Sequence, residues 1–268
     1  MRCNYRERKY YCGNYLEVDI YPVFKQQKGR RGKYKPTSEM QAKLNEKNSI
    51  RQLTRLLNTN FKNGDIAIHL TYCDEYLPKT TEEALKTAQN YIRRVKRYRA
   101  SHGLEPLKFV LVPAGGVNES RYHFHMVMNA GIDRSLLEDM WKYGYAHSRK
   151  LQFTENGVEG LAQYMGRQFK TEQGKSPFKK RWSASRNLIN PKPHDRDGRI
   201  SQRRINEIAA LEVEPREIFE QLYEGYCYSQ ATCFFNETNV GYYLCVRMYK
   251  RTAVSHEQTV IPKKIVSR

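Results

Sequence analysis

Residues 107–129, LKFVLVPAGGVNESRYHFHMVMN, decide the fold class of this 268-residue chain. Two apolar runs, 107–113 and 121–129, flank a segment containing Gly115-Gly116, and together they read as two strands joined by a turn. In the second strand His123 and His125 bracket Phe124. Alternate strand residues share a face, so both imidazoles leave one side of the sheet while Phe124 enters the other.

Working outward, DIAIHLTY at 65–72 is a further strand, and NYLEVDIYPVF at 14–24 another. Between them lies the basic, glycine-containing run KQQKGRRGKYKP. Ser38 then starts a helix over 39–58, with Met40, Leu44, Leu53, Leu56 and Leu57 available for its buried face. Thr80 with Glu83 is a capping-box pattern opening a basic helix that stops at Gly103. Asp133 caps a short helix ending near Gly144; a strand follows at 145–152 and a helix at 158–170. Beyond 171 the chain is basic and irregular, then offers helices near 200–211 and 215–224 and strands in YCYSQATCFF and YYLCVRMYK. The order β-α-β-β-α-β-α from residue 65 predicts an α+β fold of the split β-α-β kind: a central antiparallel sheet with helices on one face, plus a C-terminal α/β extension. The expected segments are 1–60 (N-terminal strand, basic loop and helix), 61–195 (core) and 196–268 (accessory region).

The chain carries 47 Lys and Arg against 28 Asp and Glu, a net charge of +19. Such an excess predicts a polyanionic partner, because phosphates bound to cations release condensed counterions. Six scattered cysteines without a C-x-x-C pair argue against a zinc ribbon and for reduced thiols in the cytoplasm. There is no apolar opening run of the secretory kind and no stretch long enough to span a bilayer, so no membrane partner is expected.

Two co-facial imidazoles one strand repeat apart suit a single divalent metal. Tyr164, in EGLAQYMGRQFK, lies at the edge of the helical stripe formed by Val158, Leu161, Ala162, Met165 and Phe169. Its side chain can therefore emerge beside the sheet, with Gly160 expected to keep the approach open and Arg167 one turn on. Phe178, Lys179, Lys180, Arg181, Trp182 and Arg186 interleave cations with rings, as single-stranded nucleic-acid sites do, although Trp182 can equally anchor the core and Ser185 and Asn187 can serve local turns. The arginines and lysines of the helix over 81–101 can be a solvated face or track a duplex.

These motifs, in this order, resemble the HUH endonuclease superfamily, and within it the rolling-circle replication-associated proteins of phages and plasmids. IHLTY is similar to the first motif, RYHFHMVMN to the His-hydrophobic-His metal motif, and GLAQYMGRQFK to the helix bearing the nucleophilic tyrosine; RWSASRNLINP looks like the segment that follows it. The resemblance covers about residues 65–191. It implies a ferredoxin/RRM-like HUH nuclease fold and a nickase that initiates replication at an origin through a 5′-phosphotyrosine link to Tyr164, leaving a 3′-OH. Arg167 and Lys170 would hold the phosphate, and Mn²⁺ or Mg²⁺ would sit on His123 and His125. Two departures stand out. Arg167 occupies the place of a more usual lysine, and an arginine does not readily release a proton. The acidic third ligand expected near Pro113-Ala114 is missing, which leaves Glu119, His69, Asp74 and Glu75 as candidates. With no G-x-x-x-x-G-K-[ST] motif, a host helicase and polymerase are implied partners. A relaxase or single-strand transposase on the same scaffold, and a nucleic-acid-binding protein without chemistry, are the competing readings.

Overall fold

The split of apolar residues between strand faces produces two sheets rather than one. In chain order the elements are β1 (Asn4–Cys12), β2 (Tyr15–Val23), α1 (Glu39–Asn60), β3 (Ile66–Thr71), α2 (Thr81–Ser101), β4 (Phe109–Ala114), β5 (His123–Met128), α3 (Arg134–Asp139), β6 (Ala146–Lys150), α4 (Glu159–Arg167), β7 (Ser183–Ala184), β8 (His194–Asp197), α5 (Gln202–Ala209), α6 (Pro215–Leu222), β9 (Tyr226–Asn236) and β10 (Gly241–Lys250). The structure is a computed structural model that describes residues 4–23, 39–116, 121–168, 177–210, 215–236 and 241–251, with the side chains of α1 from Leu44 onward. One sheet runs β6-β3-β5-β4-β7 and the other β8-β1-β2-β10-β9, and all pairings are antiparallel.

The first sheet is the predicted one. Ile66, Ile68, Leu70, Phe124, Met126 and Met128 point to one side, where Tyr91, Ile92 and Val95 of α2 and Leu137 of α3 cover them around Trp141. The capping box forms: the Thr80 hydroxyl accepts the Glu83 N–H at 3.2 Å while the Glu83 carboxylate accepts the Lys79 N–H at 2.8 Å. α2 stops at Gly103, whose φ of 62° favours glycine. Ala67, Val110, Val112 and Val127 point to the other side and meet Leu53, Leu56 and Leu57 of α1 and Val158, Ala162 and Met165 of α4. Helices α2 and α3 give the expected one-sided cover, and α1 with α4 takes part of the opposite face. The two cross closely at Gly166, where a Cβ would fall 2.5 Å from Ile50 Cγ1.

The second sheet unites the expected N-terminal and C-terminal segments. β2 pairs with β10, joining Ile20 to Leu244 and Tyr15 to Tyr249. Leu16, Val18, Ile20, Leu244, Val246 and Met248 pack under Ile205, Ile208 and Phe219 of α5 and α6. The opposite face is polar and closes on α1. Arg51 and Arg55, one helical turn apart, both pair with Glu17 and Asp19. Burial alone would raise the Glu17 carboxyl, but the two guanidiniums outweigh it and hold it below the ordinary range. Helix α1 is therefore shared: its leucines serve the first sheet and its arginines the second.

Some expectations change. Leu44 is 48% exposed and lies outside the buried face, lining a groove with Tyr21 and Phe234 of the second sheet; Met40 and Ser38 fall outside the described side chains. β1, β7 and β8 occur where no strand was predicted. The helix after Asp133 ends at Asp139, short of Gly144. No helix among the described residues is long and apolar enough to cross a membrane.

Candidate metal centre and tyrosine

Strand register assembles the site. His69 on β3 lies directly opposite His125 on β5, and Thr71 directly opposite His123. Residues opposed across an antiparallel pair point to the same face, so His69, His123 and His125 converge. The His69 and His125 rings stack at 4.5 Å, and His123 stands edge-on to each at 5.2 Å. One ligand atom from each lies within 4.8 Å of the others. Of the candidates for a third ligand, His69 is the one brought to the pair. Asp74 instead pairs with Arg121 at 2.5 Å, Glu75 is outside the cluster, and Glu119 lies outside the described residues.

The electronic state of the three rings fits a metal. The Nδ1 of His123 is 3.0 Å from the carbonyl oxygen of Arg121, which can only accept, so Nδ1 carries the proton and Nε2 keeps its lone pair. The Nε2 atoms of His69 and His125 are buried without a hydrogen-bond partner among the described residues. A buried polar atom left unpaired costs on the order of 1–3 kcal/mol, and a bound cation would remove that cost at both rings. Burial first, then His69, His123 and Arg149, pushes the His125 imidazole down to about 3. Burial, His123 and His147 likewise lower His69. Both rings thus stay neutral and offer lone pairs at ordinary pH, the form that coordinates.

Tyr164 projects from α4 over this cluster. Its ring centre is 5.0 Å from that of His125 with the planes at 80°, and it is 45% exposed. Of the predicted helix stripe, Val158, Ala162 and Met165 are buried and Leu161 partly so, with Tyr164 at the edge, while Phe169 lies outside the described residues. An open groove of about 510 Å³ has His69, His125, His147, Arg149 and Tyr164 along its walls. Gly160 does not keep this approach clear, since a Cβ there would meet nothing within 4 Å. The glycine that positions Tyr164 is Gly166, by letting α4 lie against Ile50.

Arg167 is exposed one turn beyond Tyr164, and Lys170 lies outside the described residues. Of the predicted basic segment, Arg181 bonds to α1 through the Asn45 carbonyl at 2.9 Å and to Ser49, and Trp182 packs half-buried against the apolar core under α1. Phe178 sits edge-on to Tyr122 beside His123, which brings the exposed Lys179 and Lys180 to that end of the sheet. Arg186 lines a groove with Lys96 at the opposite end, where the Ser185 hydroxyl accepts the Phe109 N–H and the Asn187 amide donates to the Leu107 carbonyl, long-range ties to β4 and its approach instead of local turn bonds. In α2, Arg99 is buried and tied to three backbone carbonyls. The sequence reading missed Tyr145, His147 and Arg149 of the strand beside His69; their alternation was visible, but their pairing with β3 was not. No protein-family model, curated protein or solved structure matches this chain.

Proposed function

We propose that this chain is a metal-dependent single-strand DNA endonuclease of the HUH type that nicks and rejoins through Tyr164, the role of a rolling-circle replication initiator acting in the cytoplasm with a host helicase and polymerase. The observation carrying this reading is the half-exposed Tyr164 phenol standing over three imidazoles, two of which bury an unpaired nitrogen. His69, His123 and His125 would hold the metal. An all-imidazole set favours Mn²⁺ over Mg²⁺, which prefers oxygen ligands. When bound, such an ion draws charge from a phosphodiester and eases attack on it.

The chain's own residues supply the rest. Tyr164 loses its phenol proton to water and attacks the phosphorus, the P–O3′ bond breaks, the 3′-oxygen takes a proton from water, and a 5′-phosphotyrosine ester conserves the bond for later rejoining. His125, held neutral by burial, is a lone-pair donor and a poor proton donor. Arg167 offers a fixed positive charge to the phosphate one turn from the nucleophile. The test is a denaturing gel of protein incubated with Mn²⁺ and a pool of single-stranded oligonucleotides. The wild type should form a covalent adduct and Tyr164→Phe none; an undiminished adduct in the variant would refute the assignment.

A further inference from the structure

The strand β6 is an edge of the histidine sheet and presents an alternating row to the site. His147 is directly opposite His69. Tyr145 and Thr71 exchange backbone hydrogen bonds at 2.8 and 3.1 Å, which carries the same register one step further. Ala146 and Ser148 turn inward under α2 and α3, Ser148 held by Glu138. Tyr145, His147 and Arg149 therefore all stand on the histidine face, and Tyr145 and Arg149 are exposed, the former 75%. Two features need an explanation. Tyr145 is a large ring left in water beside the histidine cluster. Arg149 is an exposed cation lining the groove with His125 and Tyr164, beside residues suited to a second cation.

A phosphodiester anion between Arg149 and the histidines resolves the second, and a base stacked on Tyr145 resolves the first. We infer that β6 is a single-strand track: Arg149 holds the backbone phosphate entering the site, and Tyr145 stacks the base on the far side of the histidine row. Alternate strand positions are about 6.8 Å apart, so the two contacts flank His147 at about twice that spacing. This deepens the proposed function by naming positioning residues for its substrate, and its test is independent of cutting.

Binding of a fluorescent oligo(dT) is measured by anisotropy across a salt series in EDTA, where no adduct forms. Arg149→Ala should reduce the slope of log affinity against log salt by about 0.7, the signature of one lost phosphate contact on a single strand, and Arg149→Lys should keep it. Tyr145→Ala should weaken binding about fivefold to a hundredfold with the slope unchanged, and Tyr145→Phe should bind like the wild type. Wild-type affinity and slope in both alanine variants would overturn the track. The covalent adduct is read separately, with Mn²⁺ on a denaturing gel, so failure of the track and failure of the tyrosine chemistry appear in different experiments.

Discussion

Each sheet gathers three side chains that could hold a metal: His69, His123 and His125 on one, Glu17, Asp19 and Cys245 on the other. They differ in what answers them. Glu17 and Asp19 are met by Arg51 and Arg55, with Arg55 also lying 3.4 Å over the Tyr10 ring, so that polar layer is neutralised from within and serves as an adhesive between sheet and helix. Among the described residues the histidines accept or donate one hydrogen bond, at the Arg121 carbonyl, and the Nε2 atoms of His69 and His125 have no such partner. A buried polar cluster with all its partners holds the fold together, while one left short of partners is prepared for a ligand.

The largest effect that would break this contrast is on metal binding. His125→Ala should abolish the rise in melting temperature that Mn²⁺ gives the wild type, with affinity falling by at least the roughly 10–100-fold that losing a mere supporting partner costs. Arg55→Ala should leave Mn²⁺ affinity unchanged, as measured by calorimetry. A metal response that survived in the first variant or vanished in the second would erase the distinction between the sheets.

Stability should show the converse. Arg55→Ala leaves Glu17, which is 1% exposed, with Arg51 as its one guanidinium partner, and should cost about 1–3 kcal/mol in urea unfolding. The two clusters also separate by pH. The folded-state histidine values lie below the ordinary 6.5, so the unfolded chain takes up protons first, and stability falls as pH drops from 6.5 toward about 3. Glu17 is depressed below its ordinary 4.5, so its contribution is intact above that pH and is lost on further acidification. Between 6.5 and 4.5 the decline should thus come from the histidine sheet, and unfolding of a His69→Asn/His125→Asn variant should be flatter there.

The smallest of these effects tests the helix junction. Gly166→Ala should cost about 1–3 kcal/mol by pushing α4 off Ile50, offset in part by the roughly 1 kcal/mol helix preference for alanine. It should also slow adduct formation by displacing Tyr164, and Ile50→Ala in the same chain should restore both. A fully active single variant would show that the junction does not set the tyrosine.

The central sheet was legible because its inner strands are apolar runs buried on both faces, as in FVLVPA and HFHMVM, and Tyr164 was legible from its place beside the Ala162–Met165 stripe. β1 was not: in NYRERKYYC both faces carry charge, since one lies on the Asp195–Asp197 edge and the other buries Glu7 against Tyr223 and Arg199. β8, HDRD, is wholly exposed and has no apolar signal. His69 stood among several candidates because cross-strand register, which alone selects it, is not written in any local pattern. Trp182 could not be apportioned between base and core until its packing against the core was seen.

The pairing of β2 with β10 has a consequence for how the chain is made. Every strand of the histidine sheet lies within residues 66–184, whereas β2 must wait for residues 244–249 before its inner edge is covered. During synthesis the histidine sheet can fold while that edge stays open, and the closing contact has the longest loop and hence the slowest formation. A chain cut short before β10 would therefore carry His69, His123 and His125 on a finished sheet, yet expose an unpaired strand prone to joining another chain.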